Sequence, residues 1–259
     1  MSTTPAPKLA TVPTATTEQA EGARLVATAL LGTITDQISA HPRSLQRRIG
    51  PSEIGMECTR RLVHKLAGDD EPDRGPAWKP TVGTALHAQM EQWFGATPEE
   101  FLVEQRVAVG RIGEQVITGS TDLFLPAEGV VVDWKFVGPT RLKSYRSRGP
   151  GPQYRVQAHL YGNGWKSAGH RVEAVMIAFL PRDGELTDAW FWWEPHDPMV
   201  GYQAMARANQ LHADIQARGR DQVLADYPLC SDRWCPWCAT EARAQKQQPS
   251  GGFFAAGTL

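Results

Sequence analysis

Gly119-Ser-Thr-Asp122-Leu-Phe-Leu-Pro-Ala-Glu-Gly129-Val-Val-Val-Asp133-Trp-Lys135-Phe136 is the stretch from which the fold of this chain can be read. Two β-favouring runs, 120–125 and 130–136, flank Pro126-Ala127-Glu128-Gly129, a connection with turn residues at both ends, so the segment predicts a β-hairpin. With the turn centred between Ala127 and Glu128, Asp122 faces Asp133 and Ser120 faces Lys135. Opposed Cβ atoms in an antiparallel pair stand roughly 5 Å apart, close enough for two carboxylates to share one divalent cation. Lys135 lies two residues beyond Asp133 and shares its face, whereas Val130, Val132, Trp134 and Phe136 point the other way. Two acids and a lysine held out of water need mutual pairing or a metal to offset their desolvation. A surface strand with an Asp-Lys ion pair is the competing reading of the hairpin taken alone.

Upstream, residues 101–118 alternate enough to form two strands joined around Gly110 to Gly113, so a sheet of at least four strands builds up. Downstream, residues 172–179 and 189–194 read as further strands separated by Arg182-Asp-Gly184. The run Trp190-Phe-Trp-Trp193 is assigned to core and sheet face, not to a base-stacking platform. Between these strand groups, residues 138–152 are rich in Gly and Pro and predict a mobile loop. It carries Arg141, Lys143, Arg146 and Arg148 beside Tyr145, basic and aromatic chemistry that suits a nucleic-acid strand.

Helical spacing covers residues 18–40, an amphipathic packing helix, and a segment from Pro51 to Leu66 with Ser52 as N-cap and Cys58 on or beside the helix. Residues 69–80 read as a loop and 82–94 as a helix with His87 and Glu91 on one face. A helix over 153–165 puts Gln153, Gln157 and Tyr161 on one face, where an amide and a phenol can hold phosphate or buttress a metal site. His159 points elsewhere and is read as structural. A polar helix spans 197–219.

With 259 residues the chain can bury a sizeable core as one α/β domain. Its 27 Lys plus Arg against 28 Asp plus Glu give a net charge of −1, so contact with DNA must come from local patches. Residues 1–17 are rich in Thr, Pro and Ala and lack the basic start and apolar core of a secretory signal. No apolar run reaches the length of a membrane span, so no membrane partner and a cytoplasmic location are expected. The expected organisation is a disordered tail over 1–17, one domain over 18–240, and a flexible tail over 241–259.

Four cysteines divide one plus three: Cys58, then Cys230, Cys235 and Cys238. Thiolates at such spacing chelate zinc or an iron-sulfur cluster, and joining residue 58 to residue 230 would staple the N-terminal helix to the C-terminal segment. The hairpin site is of another kind. Oxygen ligands from Asp122 and Asp133 suit Mg²⁺ or Mn²⁺, and an imidazole from His87 favours Mn²⁺. Lys135 beside them can orient water or stabilise developing negative charge, so the arrangement points to metal-assisted phosphodiester hydrolysis.

In their order along the chain, Cys58 before Arg60-Arg61, His87 on a helix, Asp122 after Gly119, Asp133-x-Lys135, Gln157-x3-Tyr161 and the three-cysteine cluster resemble the PD-(D/E)XK nucleases. The nearest likeness is to RecB-like exonucleases of the CRISPR-associated Cas-four type, over roughly residues 50–240. The resemblance implies a restriction-endonuclease-like core, a mixed central sheet flanked by helices. It implies Mg²⁺ or Mn²⁺ held by His87, Asp122, Asp133 and the carbonyl of Trp134, with Lys135 assisting the nucleophilic water. Gln157 and Tyr161 would position DNA, and Cys58, Cys230, Cys235 and Cys238 would hold a structural 4Fe-4S cluster, with zinc as the lesser alternative. The implied activity is a DNA exonuclease acting on single-stranded DNA or DNA ends in recombination, repair or CRISPR-type processing, in a bacterium or encoded by a phage. A non-catalytic DNA-end-binding adaptor is the alternative, and protein partners would be a second copy of the chain or CRISPR or recombination proteins.

Overall fold

A computed structural model describes residues 6–10, 14, 16–40, 49–72, 76–232 and 234–247. Its centre is one five-stranded sheet in the order β1-β2-β3-β4-β5. The strands are β1 (Leu102–Ile112), β2 (Gln115–Leu125), β3 (Val130–Val137), β4 (Ala174–Pro181) and β5 (Trp190–Pro195). All neighbours are antiparallel except β3 and β4. A parallel pair needs a long crossover, and here it is made by α5 (Pro139–Arg148) and α6 (Gly151–Ser167).

The hairpin register is the one the turn predicts: Leu123 faces Val132, Phe124 faces Val131 and Leu125 faces Val130. The paired ladder covers only these positions, so neither Asp122 and Asp133 nor Ser120 and Lys135 are paired in it. Strand β2 is longer than expected. It begins at Gln115, and β1 turns into it at Gly113 and Glu114, while Gly110 marks a register shift inside β1.

One face of the sheet carries the main core, in which α6 lies between the sheet and α7 (Pro198–Arg218), joined by α2 (Pro51–Ile54) and α3 (Thr59–Ala67). Every side chain from Gln157 to Trp165 is buried, because α6 is covered on both sides. Gly164 permits this closeness: a Cβ there would stand 2.7 Å from Val107 Cγ2. The Trp165 ring stacks on Phe124 at 4.3 Å and donates its N–H to Thr121 Oγ1 at 3.2 Å. On the other face α4 (Trp78–Phe94) lays Met90 and Phe94 against Leu123, Val132 and Trp134. Strand β4, covered on both faces, buries Val175, Ile177, Ala178 and Phe179 completely.

Several local readings change. The segment after β3 is not a loop: Pro139 at its first turn and Gly149 at its C-cap bound the helix α5. The helix near residue 51 is capped by Gly50, not Ser52, and stops at Ile54, after which Cys58 caps the separate α3. Helix α4 starts at Trp78, earlier than expected. Helix α1 (Thr17–Ala40) buries only Thr35 and Ile38, leaving the apolar positions Leu25, Val26, Leu30 and Ile34 exposed. The Trp190–Trp193 run alternates, with Phe191 and Trp193 exposed on the edge strand. Helices α8 (Arg220–Ala225) and α9 (Pro236–Gln247) follow. Helix α9 carries order past residue 240, where Glu241 pairs with Arg60 and with His64. The rest of the tail expected over 241–259 lies outside the described residues from 248 onward, as does most of the segment 1–15. No helix among the described residues is long and apolar enough to cross a membrane.

Two helix glycines separate close packing from helix propensity. Gly164→Ala is expected to lower stability by about 1–3 kcal/mol through overpacking against Val107. Gly83→Ala on α4, where a Cβ meets nothing within 4 Å, should raise it by up to ~1 kcal/mol. Urea midpoints of the two variants would check both signs.

Candidate active site

Asp122 lies at the point where β2 and β3 separate. Its Oδ2 accepts the backbone N–H of Trp134 at 2.7 Å, so the carboxylate takes the donor that one more rung of sheet would have used. The opposite neighbour is interrupted too. On β1, Val103 pairs with Leu123 and Gln105 with Thr121, while Glu104 between them lies opposite Asp122 and has φ of 50°. A left-handed backbone at a non-glycine residue is held only where its surroundings require it, and such positions cluster at functional sites. Glu104, Asp122 and Asp133 thus come from three adjacent strands where the ladders break.

From α4, His87 reaches over the sheet with Nδ1 3.3 Å from Asp122 Oδ1. Nδ1 is buried and makes no hydrogen bond, so the two atoms face each other without alignment. Phe136 holds the imidazole edge-on at 5.4 Å. Ligand atoms of His87, Glu104 and Asp122 all lie within 4.8 Å of one another. Two carboxylates and an imidazole around an orphaned buried nitrogen fit a divalent cation of the Mg²⁺ or Mn²⁺ kind.

Asp133, 2% exposed, sits on the α6 side of this group. Gln157 donates Nε2 to its Oδ1 at 3.0 Å, and Lys135 forms an ion pair with its Oδ2. The Lys135 ammonium also lies 4.9 Å over the Tyr154 ring. Tyr161, buried one turn beyond Gln157, packs against Gly119, where a Cβ would stand 3.0 Å from its Cε1. Both Gln157 and Tyr161 are therefore enclosed, and Gln157 acts on Asp133.

Burial pushes the Asp133 carboxyl up to about 6, against the Lys135 charge, with the Asp122 charge adding to the rise. For Lys135, burial would favour the neutral amine, but Asp133 and Asp122 hold its value above the ordinary one. Burial would also raise Asp122, yet His87, Lys135 and the Trp134 N–H keep it below the usual carboxylate range. His87 is raised correspondingly: the Asp122 and Asp133 charges outweigh its burial. The site therefore holds one firm carboxylate, one protonatable carboxyl and a lasting ammonium, charge of both signs held close together.

The basic residues lie on α5, which starts two residues after β3 ends. Arg141, Lys143, Arg146 and Arg148 are exposed along it. Arg146 is drawn to the carbonyl of Asp188, and Arg148 donates to Ser144 Oγ at 2.6 Å. Tyr145 is half-buried and stacks on Phe179 at 4.4 Å, so its ring belongs to the core edge and is not presented as a stacking surface. Glu104 and Tyr154 are the site residues that sequence reasoning missed. An acid inside the β1 run was the available signal for Glu104.

No family model matches the chain, and no curated protein does. Among solved structures, an alkaline exonuclease from Laribacter hongkongensis is similar at 10% identity with a TM-score of 0.48, over 69% of this chain and 92% of that one. The same enzyme in complex with dAMP gives the same values. A phage related exonuclease from Haemophilus somnus 129PT is similar at 12% identity with a TM-score of 0.42, over 72% of this chain and 99% of that one. At these identities the function has to be argued from the site.

Two expectations follow. Gln157→Leu removes the donor that orients Asp133, and a 10–100-fold weaker half-saturating Mn²⁺ concentration is expected in thermal-shift titration. The second concerns pH. With Asp133 at about 6 in the folded chain and near 3.9 unfolded, the folded state holds the extra proton between these values. Metal-free stability therefore falls as pH rises from about 4 through about 6, by about 3 kcal/mol in all. Saturating Mn²⁺ should raise Tm by about 5–10 °C at pH 7.5 and by less than half of that at pH 5, where the proton competes. Equal shifts at both pH values would contradict this assignment.

Proposed function

We propose that this protein is a metal-dependent DNA exonuclease that hydrolyses phosphodiester bonds using the site at the β1-β2-β3 junction. The observation that carries the reading is the buried Asp122, set between Glu104 and His87 on one side and the Asp133–Lys135 pair on the other. Desolvating these acids is unfavourable unless a cation completes the site. His87, Glu104 and Asp122 would hold Mg²⁺ or Mn²⁺, with Asp133 and the Trp134 carbonyl as the further ligands that the family resemblance implies. When bound, the cation polarises a phosphoryl oxygen and lowers the pKa of water.

The chain's own groups do the rest. Lys135, kept protonated by Asp133 and Asp122, can orient the attacking water and stabilise charge developing on the phosphate. Gln157 fixes Asp133 so that its second oxygen stays on Lys135. As water adds to phosphorus and the P–O bond to the leaving strand breaks, a proton returns to the departing oxygen. The exposed cations of α5, which starts two residues after β3 ends, would hold the strand backbone. The preference for ends and for single strands comes from the ordered motif resemblance.

The test is digestion of DNA labelled at either end or internally, single- and double-stranded, with Mg²⁺, Mn²⁺ or a chelator. Metal-dependent release of short products from ends is expected, falling at least 10²–10³-fold in Asp122→Ala and Lys135→Ala. Wild-type protein that binds DNA ends but cuts under no metal would make the chain an end-binding adaptor instead.

A further inference from the structure

The family resemblance implies a 4Fe-4S cluster at the cysteines, and the spacing of the sulfurs does not fit that group. Cys58 stands as the N-cap of α3, and its Sγ lies 3.6 Å from Cys238 Sγ and 3.8 Å from Cys235 Sγ. All four sulfurs, Cys230 included, lie within 4.8 Å of one another. These are free thiols, far from the ~2.05 Å of a disulfide.

Each metal group dictates its own sulfur spacing. Four thiolates at about 2.3 Å from one tetrahedral ion are placed about 3.8 Å apart along every edge. In a 4Fe-4S cubane each cysteine binds a different iron at a corner of the cube, and geometry spreads the thiolates to roughly 6 Å or more. A 2Fe-2S rhomb would keep two close pairs but separate one pair from the other. Four mutually close sulfurs leave space for one ion and none for a core of iron and sulfide.

The surroundings are those of a closed structural site. Cys235 and Cys238 are 1% and 2% exposed. Backbone N–H groups aim at the sulfurs, from Arg61 to Cys58 Sγ at 3.4 Å and from Cys230 to Cys238 Sγ at 3.4 Å, an outer shell that supports thiolate ligands. Trp237 seals one side, stacking on His64 at 5.2 Å, and Glu241 on the same helix pairs with Arg60 and His64. The four ligands come from a helix cap, a loop and the start of α9, so all can approach one point.

We infer that Cys58, Cys230, Cys235 and Cys238 bind a single zinc ion in tetrahedral geometry, in place of an iron-sulfur cluster. The ion fastens α3 to α9 across most of the chain's length and has no open position for chemistry. The inference is independent of the nuclease reading, because its readout is the metal itself.

The full chain, expressed with both iron and zinc supplied and purified without oxygen, should contain one zinc per chain, no acid-labile sulfide and no visible absorption. X-ray absorption at the zinc edge should show four sulfur neighbours at about 2.3 Å. Cys235→Ser should lose the zinc. If that variant does not fold, Co²⁺ substitution of the wild type should give the spectrum of a tetrahedral tetrathiolate. Four irons with sulfide, iron without sulfide, or a folded chain whose four thiols all react with no zinc released would each overturn it.

Discussion

Two buried carboxylates and a half-buried third on adjacent strands cannot sit side by side unless something positive stands among them, and the sheet is interrupted at the places that create this situation. Asp122 takes the Trp134 N–H for itself, which ends the β2–β3 ladder, and Glu104 adopts a left-handed backbone, which interrupts β1–β2. Each break removes ordinary sheet pairing and opens a cleft that a regular antiparallel sheet would close. The rest of the fold supplies what the cleft lacks. Helix α4 brings an imidazole from one face, and α6 brings an amide from the other. The parallel β3–β4 pair matters for this reason: its crossover lays α6 over Asp133 and starts the basic α5 two residues after β3.

The polar cluster persists because the sheet around it is dry and stiff. Phe124, Val131, Val175, Ile177 and Phe179 are fully buried, and the strands that carry the acids therefore cannot shift to relieve repulsion. Asp133 responds by holding its proton up to about 6, and Lys135 responds by keeping its own. A rigid scaffold with an unresolved charge balance is preorganised for a ligand that brings the missing charges.

The hairpin, its register next to the turn and the shared face of Asp133 and Lys135 were legible because they depend on local turn chemistry and a two-residue period. His87 was legible from its helix position. Glu104 was not, since its place opposite Asp122 arises from β1 pairing and a backbone angle that the sequence does not announce. The α5 helix was misread through its glycines and prolines. Pro139 inside its start and Gly149 past its end are helix punctuation, and the basic residues between them form a helical face. Gln157 was placed correctly on its helix, but whether it meets a phosphate or Asp133 depends on how deeply α6 is buried, and that follows from Gly164 and its neighbours. The cysteine spacing specified a soft-metal site and nothing finer, because an ion and a cluster draw on the same four thiolates. Only their distances in space separate the two.

The two sites are also joined mechanically. Pro51 of α2 packs directly on Gly119, where a Cβ would stand 2.7 Å from its Cγ, and Gln153 of α6 donates to the Ser52 carbonyl at 2.7 Å. A few residues later the same segment presents Cys58, and Arg207 of α7 clamps it by donating to the Met56 carbonyl at 2.7 Å and to Thr59 Oγ1 at 2.8 Å. Residues 51–59 thus wall the cleft at one end and anchor the cysteine site at the other. An ion that fixes Cys58 to α9 restrains Pro51 through the short segment between them, α2 and the residues leading to the Cys58 cap. Its removal would loosen the α2 wall against β2 and, through Ile54, Leu62 and Val63, would reach the main core that these residues share with the sheet. The cysteine site and the candidate active site are therefore coupled in position.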